Sequence, residues 1–253
     1  ILSMTRIISV VSGKGGVGKT TLVSNLGAHL SSMGKSVAVI DGNLSGPSLG
    51  LHLGLSDFYP FALNHVLKGD VPVSHATYNH YLGFDIIPSS LSDMEVNPKR
   101  LKHALADLIG RKDFILIDAA AGIDNEVRSA IEASDEVLIV TNPHTPAIAD
   151  ALRAKKLADN LNKTVSGIIL NKVRGEKFEI HHKIVEDVLE TPVIARIPDH
   201  KKVRESIALK IPMTSYAPNS RVAREIKKLS HHISGEELPS ISVIEKITNY
   251  IYK

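Results

Sequence analysis

Short runs of apolar, often β-branched residues recur along the chain, with longer segments of helical period between them. The runs are Ile7 to Val11, Ser36 to Ile40, Phe84 to Ile87, Phe114 to Ile117, Glu136 to Val140, Val165 to Leu170 and Val193 to Ile197. Several are apolar at consecutive positions, a pattern that suits a strand covered on both faces. Between them Thr20 to Met33, Pro98 to Gly110, Asp124 to Ala133, Pro146 to Asn162 and Phe178 to Leu189 have the spacing of crossover helices, with Asn97-Pro98 and Asp124 as start signals. The alternation predicts an α/β fold, a doubly wound and mainly parallel sheet flanked by helices. The 253 residues suffice for one such sheet with a substantial core, and no repeat, low-complexity tract or linker divides them. One domain over residues 4–233 is expected, then Ser234-Gly235 and a tail making up residues 234–253. Ile1 to Ser3, which precede Met4, fall outside that domain.

Composition narrows the chemistry. With 43% hydrophobic and 23% charged residues the chain is that of an ordinary globular protein. Its longest apolar runs fall far short of the roughly 18 residues a membrane span needs. The N-terminal stretch has no signal-peptide pattern. Cysteine is absent, which removes disulfides, thiolate zinc sites, cysteine-ligated clusters and cysteine nucleophiles, and points to a cytoplasmic location. A net charge of +3 is too small to imply nucleic acid by itself. The adjacent pairs His181-His182 and His231-His232 diverge by about 100° on a helix and predict no zinc site.

The first run leads into Gly13-Lys14-Gly15-Gly16-Val17-Gly18-Lys19-Thr20, a full match to G-x-x-x-x-G-K-[ST] between a strand and a helix. Glycines there let successive backbone N–H groups turn inward around phosphate oxygens, and the helix that follows adds its positive end. In such a loop Lys19 reaches the β- and γ-phosphates and the Thr20 hydroxyl ligates Mg²⁺. The segment therefore specifies a P-loop nucleotide site for ATP or ADP with Mg²⁺.

Lys14 sharpens this, because a second lysine at the start of the loop is not needed to cradle phosphate within one chain. The stretch from Gly13 to Thr21, GKGGVGKTT, resembles the deviant Walker A motif of the MinD/ParA ATPases. The likeness extends to about residue 233. Asp41-Gly42-Asn43, running on to Leu49, resembles the family's first switch, usually D-x-D. Phe114 to Gly122 resembles the Walker B strand and second switch, and Thr141-Asn142-Pro143 resembles its T-N-P.

The resemblance implies roles for individual residues. Lys14 would reach across a dimer interface to the partner's nucleotide. Asp118 would hold Mg²⁺ through water, with Asp41 sharing that shell. Asn171 would read the adenine edge, and Pro198 with Asp199 would close over the base. Asn43 stands where the second Asp of the first switch orients the attacking water. An amide can hold a water but cannot act as a base, which costs on the order of 10²- to 10⁴-fold in rate, so slow hydrolysis is expected. Ala120 replaces the usual proline of the second switch.

The implied function is a MinD-like, ATP-dependent dimerising switch that positions a cellular component such as the division site. Two other readings stand beside it: a non-catalytic nucleotide-dependent scaffold, and a ParA-like DNA-partition ATPase. In the tail, Val243, Ile244, Ile247, Tyr250 and Ile251 share one helical face, which suits peripheral membrane contact or docking on the protein's own body. Arg221, Arg224, Lys227 and Lys228 form a candidate phosphate-backbone patch, though DNA is less favoured than a protein client.

Overall fold

A computed structural model describes residues 4–55, 59–91 and 96–238. The tail residues 239–253, with the apolar face proposed for them, lie outside the described residues. The strands are β1 (Arg6–Ser12), β2 (Val37–Gly42), β3 (Tyr78–Asn79), β4 (Asp85–Ile87), β5 (Phe114–Ala121), β6 (Glu136–Thr141), β7 (Thr164–Val173) and β8 (Val193–Pro198). The helices are α1 (Lys19–Ser32), α2 (Leu49–His52), α3 (Leu63–Lys68), α4 (Leu101–Ala104), α5 (Asn125–Ala133), α6 (Thr145–Asn160), α7 (His182–Leu189), α8 (Lys201–Ala208), α9 (Met213–Tyr216) and α10 (Arg221–Ser234).

The strands form one sheet in the order β3-β4-β2-β5-β1-β6-β7-β8, and every pair but β3–β4 is parallel. The consecutive apolar runs follow from this. Successive side chains point to opposite faces, so Ile7, Val11, Ala38, Ile40, Ile115, Ile117 and Ile139 join a core with α3, α4, α5, α6 and α7. Their alternates Ile8, Val10, Val37, Val39, Leu116, Leu138 and Val140 pack with α1 and α10 on the other face. Helix α10 buries Val222, Ile226, Leu229 and Ile233 and ends at Gly235, which caps it in the left-handed conformation at φ 72°.

Three local expectations differ. The segment expected as one helix from Pro98 to Gly110 is a short helix between two 3₁₀ turns, with Leu101, Leu105 and Leu108 buried. The Thr5 hydroxyl accepts from the Gly110 N–H and fixes its end, so tertiary contacts outweigh helical period. Helix α7 starts at His182, because the Glu179 carboxylate accepts from the Arg174 and Gly175 N–H groups and holds the preceding residues in a loop. The two-residue edge strand β3 follows from the turn through Gly83 and is too short to leave a period.

Candidate functional site

The loop from Gly13 to Gly18 leaves the carboxyl end of β1, where open α/β sheets bind ligands. Gly18 has φ 99°, and a Cβ there would lie 2.3 Å from the Asn171 amide nitrogen, so a side chain is refused twice over. The loop's carbonyls are tied from several directions. Ser12 donates to the Lys14 oxygen at 2.7 Å, Lys172 Nζ to Gly16 at 2.7 Å, and Asn171 Nδ2 to Val17 at 2.7 Å. Among the described residues, no acceptor takes the N–H groups of Lys14 to Gly18. With carbonyls turned away and N–H groups free at a helix N-terminus, the loop is built for an anion.

Lys19 is buried and its Nζ donates to Ser12 Oγ at 2.9 Å. Burial lowers its pKa, against a pull upward from Asp118. Lys14 is half-buried and forms no ion pair with the described residues.

Beside the loop, parallel register sets Asp41 on β2 directly against Asp118 on β5. Both are buried. Asp118 Oδ2 accepts from the Thr20 hydroxyl at 2.6 Å, and its Oδ1 is buried without a partner among the described residues. Asp41 accepts from the N–H groups of Asn43, Ser48 and Leu49. Burial pushes both carboxyls above the usual range, the facing charge raises Asp41 further, and Thr20 and Lys19 draw Asp118 back. Two facing buried carboxylates, an orphaned oxygen and a threonine hydroxyl are a hard-oxygen donor set, which fits a divalent cation such as Mg²⁺.

Asn43 closes its own loop: its amide donates to the Gly46 oxygen at 2.5 Å and accepts from the Gly46 N–H at 3.2 Å. Glu126, at the start of α5, accepts from Leu44 N–H at 2.9 Å and Ser45 N–H at 3.4 Å.

A cavity of about 460 Å³ brings together Gly16, Gly18, Lys19, Thr20, Thr21, Asn171, Pro198 and Asp199. Thr21 bonds to His52 at 3.1 Å. Asp41 instead borders a separate cavity of about 290 Å³ with Ser48 and Tyr59. Ser12, His52, Glu126 and Lys172 carry no motif signal, since each acts through a partner supplied by the fold. In the basic patch Lys228 pairs with Glu225 at 2.7 Å and Lys227 donates to the Pro218 oxygen, which leaves Arg221 and Arg224 exposed.

Comparison with known proteins gives a consistent result. The sequence model described as the CobQ/CobB/MinD/ParA nucleotide binding domain matches residues 8–213. An uncharacterized ATP-binding protein of Methanocaldococcus jannaschii is 34% identical over 235 residues, covering 92% of this chain and 89% of its own. The septum site-determining protein MinD of Thermotoga maritima is 32% identical over 246 residues, covering 93% and 90%. Among solved structures, MinD of Pyrococcus horikoshii complexed with Mg-ADP superposes with a TM-score of 0.86 at 34% identity, covering 91% and 96%.

Proposed function

Since the chain belongs to the MinD/ParA nucleotide-binding family, we propose that it is a MinD-like ATPase that binds Mg-ATP and Mg-ADP at the Gly13–Thr21 loop and dimerises in the ATP state. The observation that supports this reading is the loop whose carbonyls are tied while its N–H groups have no acceptor among the described residues, with the Lys19 ammonium beside it.

Those N–H groups and Lys19 take the phosphate oxygens, and Thr21 stands in the same cavity, held by His52. Thr20, Asp41 and Asp118 would hold Mg²⁺, which supplies charge neutralisation for the phosphates. Asn171, Pro198 and Asp199 surround the base. Lys14, without a carboxylate partner among the described residues, serves the nucleotide of a second copy. Asn43 holds the attacking water weakly, because both ends of its amide are engaged by Gly46 and it has no charge to accept a proton. The ATP-bound dimer is therefore long-lived, and it positions a client in the cell. The proposed domain over residues 4–233 is followed by a tail over 234–253, whose first two residues complete and cap α10. No helix among the described residues is long and apolar enough to cross a membrane.

Calorimetry and light scattering test this. Wild type binds Mg-ATP and Mg-ADP, whereas Lys19→Ala loses at least about a hundredfold in affinity, the scale for deleting one partner of a buried charged contact. A nonhydrolysable ATP analogue yields more dimer than ADP does, and Lys14→Ala abolishes that difference. Wild type that binds neither nucleotide overturns the reading, and a monomer indifferent to ATP overturns the role of Lys14.

A further inference from the structure

The carboxyl ends of β7 and β8 place an unusual group at the rim of the nucleotide cavity. Lys172 takes a left-handed φ of 58°, and the register between β7 and β8 shifts between Leu170 and Val173. Val173 then pairs with Pro198, and the Asp199 N–H donates to the Val173 oxygen at 2.9 Å. The next residue on each strand end therefore lies beside the other, and Arg174 Nε donates to Asp199 Oδ2 at 2.8 Å. Arg174 is itself fixed from behind: its backbone N–H donates to Glu179 Oε1 at 2.7 Å, and its Nη1 lies 4.0 Å from Glu176. Both Arg174 and Asp199 line the cavity with Asn171 and Pro198.

A free carboxylate at such a place has a definite preference. The hydrogen-bonding edge of guanine offers two adjacent donors, a ring N–H and an amino group, which the two oxygens of a carboxylate accept together. Adenine offers one donor and one acceptor, which an amide such as Asn171 satisfies and a carboxylate does not. An Asp199 with both oxygens available would favour guanine. With Oδ2 accepting from Arg174 Nε and its charge offset by the guanidinium, the carboxylate is turned toward Arg174 and is a poorer bidentate acceptor for guanine.

We infer that Arg174 is a purine-selectivity residue, which keeps the site for adenine nucleotides by occupying the carboxylate of Asp199. The inference rests on the nucleotide site proposed above. Arg174 acts through Asp199 and touches no phosphate in this role, so its removal changes the relative affinity for two nucleotides that share the same triphosphate. A merely structural or general electrostatic contribution would weaken both nucleotides alike, because the three neighbouring carboxylates Glu176, Glu179 and Asp199 repel either one equally.

Calorimetric titration of the full chain with Mg-ATP and Mg-GTP separates these outcomes. Wild type favours ATP. Arg174→Ala moves the ATP-to-GTP affinity ratio toward GTP by about tenfold, the scale of one bidentate base contact. Adding Asp199→Asn to Arg174→Ala restores the ratio, since the amide lacks the second acceptor. An unchanged ratio in Arg174→Ala, or a shifted ratio that Asp199→Asn fails to restore, overturns the inference and leaves the nucleotide site standing. Wild type that favours GTP also overturns it. Wild type that binds neither nucleotide removes the site reading and this inference together.

Discussion

The loop after β1 and the loop after β2 leave neighbouring parts of the same sheet edge, yet their backbones are satisfied in opposite ways. In the first, side chains donate to the carbonyls of Lys14, Gly16 and Val17, and the N–H groups have no acceptor among the described residues. In the second, the N–H groups are the ones engaged: Asp41 accepts from Asn43, Ser48 and Leu49, Glu126 from Leu44 and Ser45, and Asn43 from Gly46. Helix termini and tight loops leave orphan groups that something must satisfy. One loop leaves its donors open to an external anion, while the other is closed by two carboxylates and an amide of the protein itself. A loop with open donors and a self-bonded loop thus arise from the same backbone chemistry.

The contrast breaks most severely at Gly18. Gly18→Ala meets both the positive φ and the Asn171 amide, and should cost about 2 kcal/mol or more of stability together with nucleotide affinity. Asn171→Ala in the same chain relieves the steric part and leaves the φ part, so denaturant melts of the single and double variants separate the two. At the other loop, Asn43→Asp keeps the contact from the Gly46 N–H and gives up the donation to the Gly46 oxygen. That frees a carboxylate oxygen to take a proton, and turnover should rise about tenfold, whereas Asn43→Ala lowers it. Equal rates in wild type and Asn43→Asp would assign the water to another residue.

Glu126→Ala sharpens the comparison from the far side. Leu44 and Ser45 lose their acceptor, at a cost of about 1 kcal/mol confined to that loop, and their amides should exchange faster with solvent while Lys19 and its neighbours are unaffected. The smallest effect belongs to a control away from both loops. Burial, then the charges of Lys227 and His231, depress His29 on α1 from 6.5 to about 4. The unfolded chain accepts a proton that the folded one refuses, so this contribution is complete above about pH 6.5 and is lost as pH falls toward 4. Protonation of the raised Asp41 and Asp118 carboxyls adds stability over the same range in both proteins, so the readout is the difference: between pH 7 and 5 wild type should lose about 2–4 °C of Tm relative to His29→Phe, without a change in the relative nucleotide affinities.

Contiguous features were legible in the sequence, and assembled ones were not. The central strands stood out because two-sided burial prints consecutive apolar residues, and the Gly13–Thr20 loop because its requirement is met by eight adjacent residues. Asp41 and Asp118 could be placed at strand ends, but their shared register belongs to the pairing of β2 with β5. Glu126 meets Leu44 across 82 residues and Lys172 meets Gly16 across 156, separations at which no local pattern survives. The position of Asn43 was readable, while the direction of its amide is set by the turn at Gly46. The break in the helix expected from Pro98 to Gly110 was hidden because the buried Leu101, Leu105 and Leu108 keep a helical period across the 3₁₀ turns.

The strand order places the site's parts in an unusual relation to folding time. Thr20 and Asp199 follow β1 and β8 while Asp41, Asp118 and Asn171 lie in β2, β5 and β7, and the parallel pairs that unite them each close a long chain segment. Non-local pairings of this kind form slowly, since the loop-closure entropy is lost before the contacts repay it. The phosphate loop is synthesised first, yet the pocket it serves is completed only when β8 docks against β7. The motif therefore precedes by most of the chain the residues that complete its pocket, and nucleotide should stabilise most strongly those molecules in which β8 has already docked.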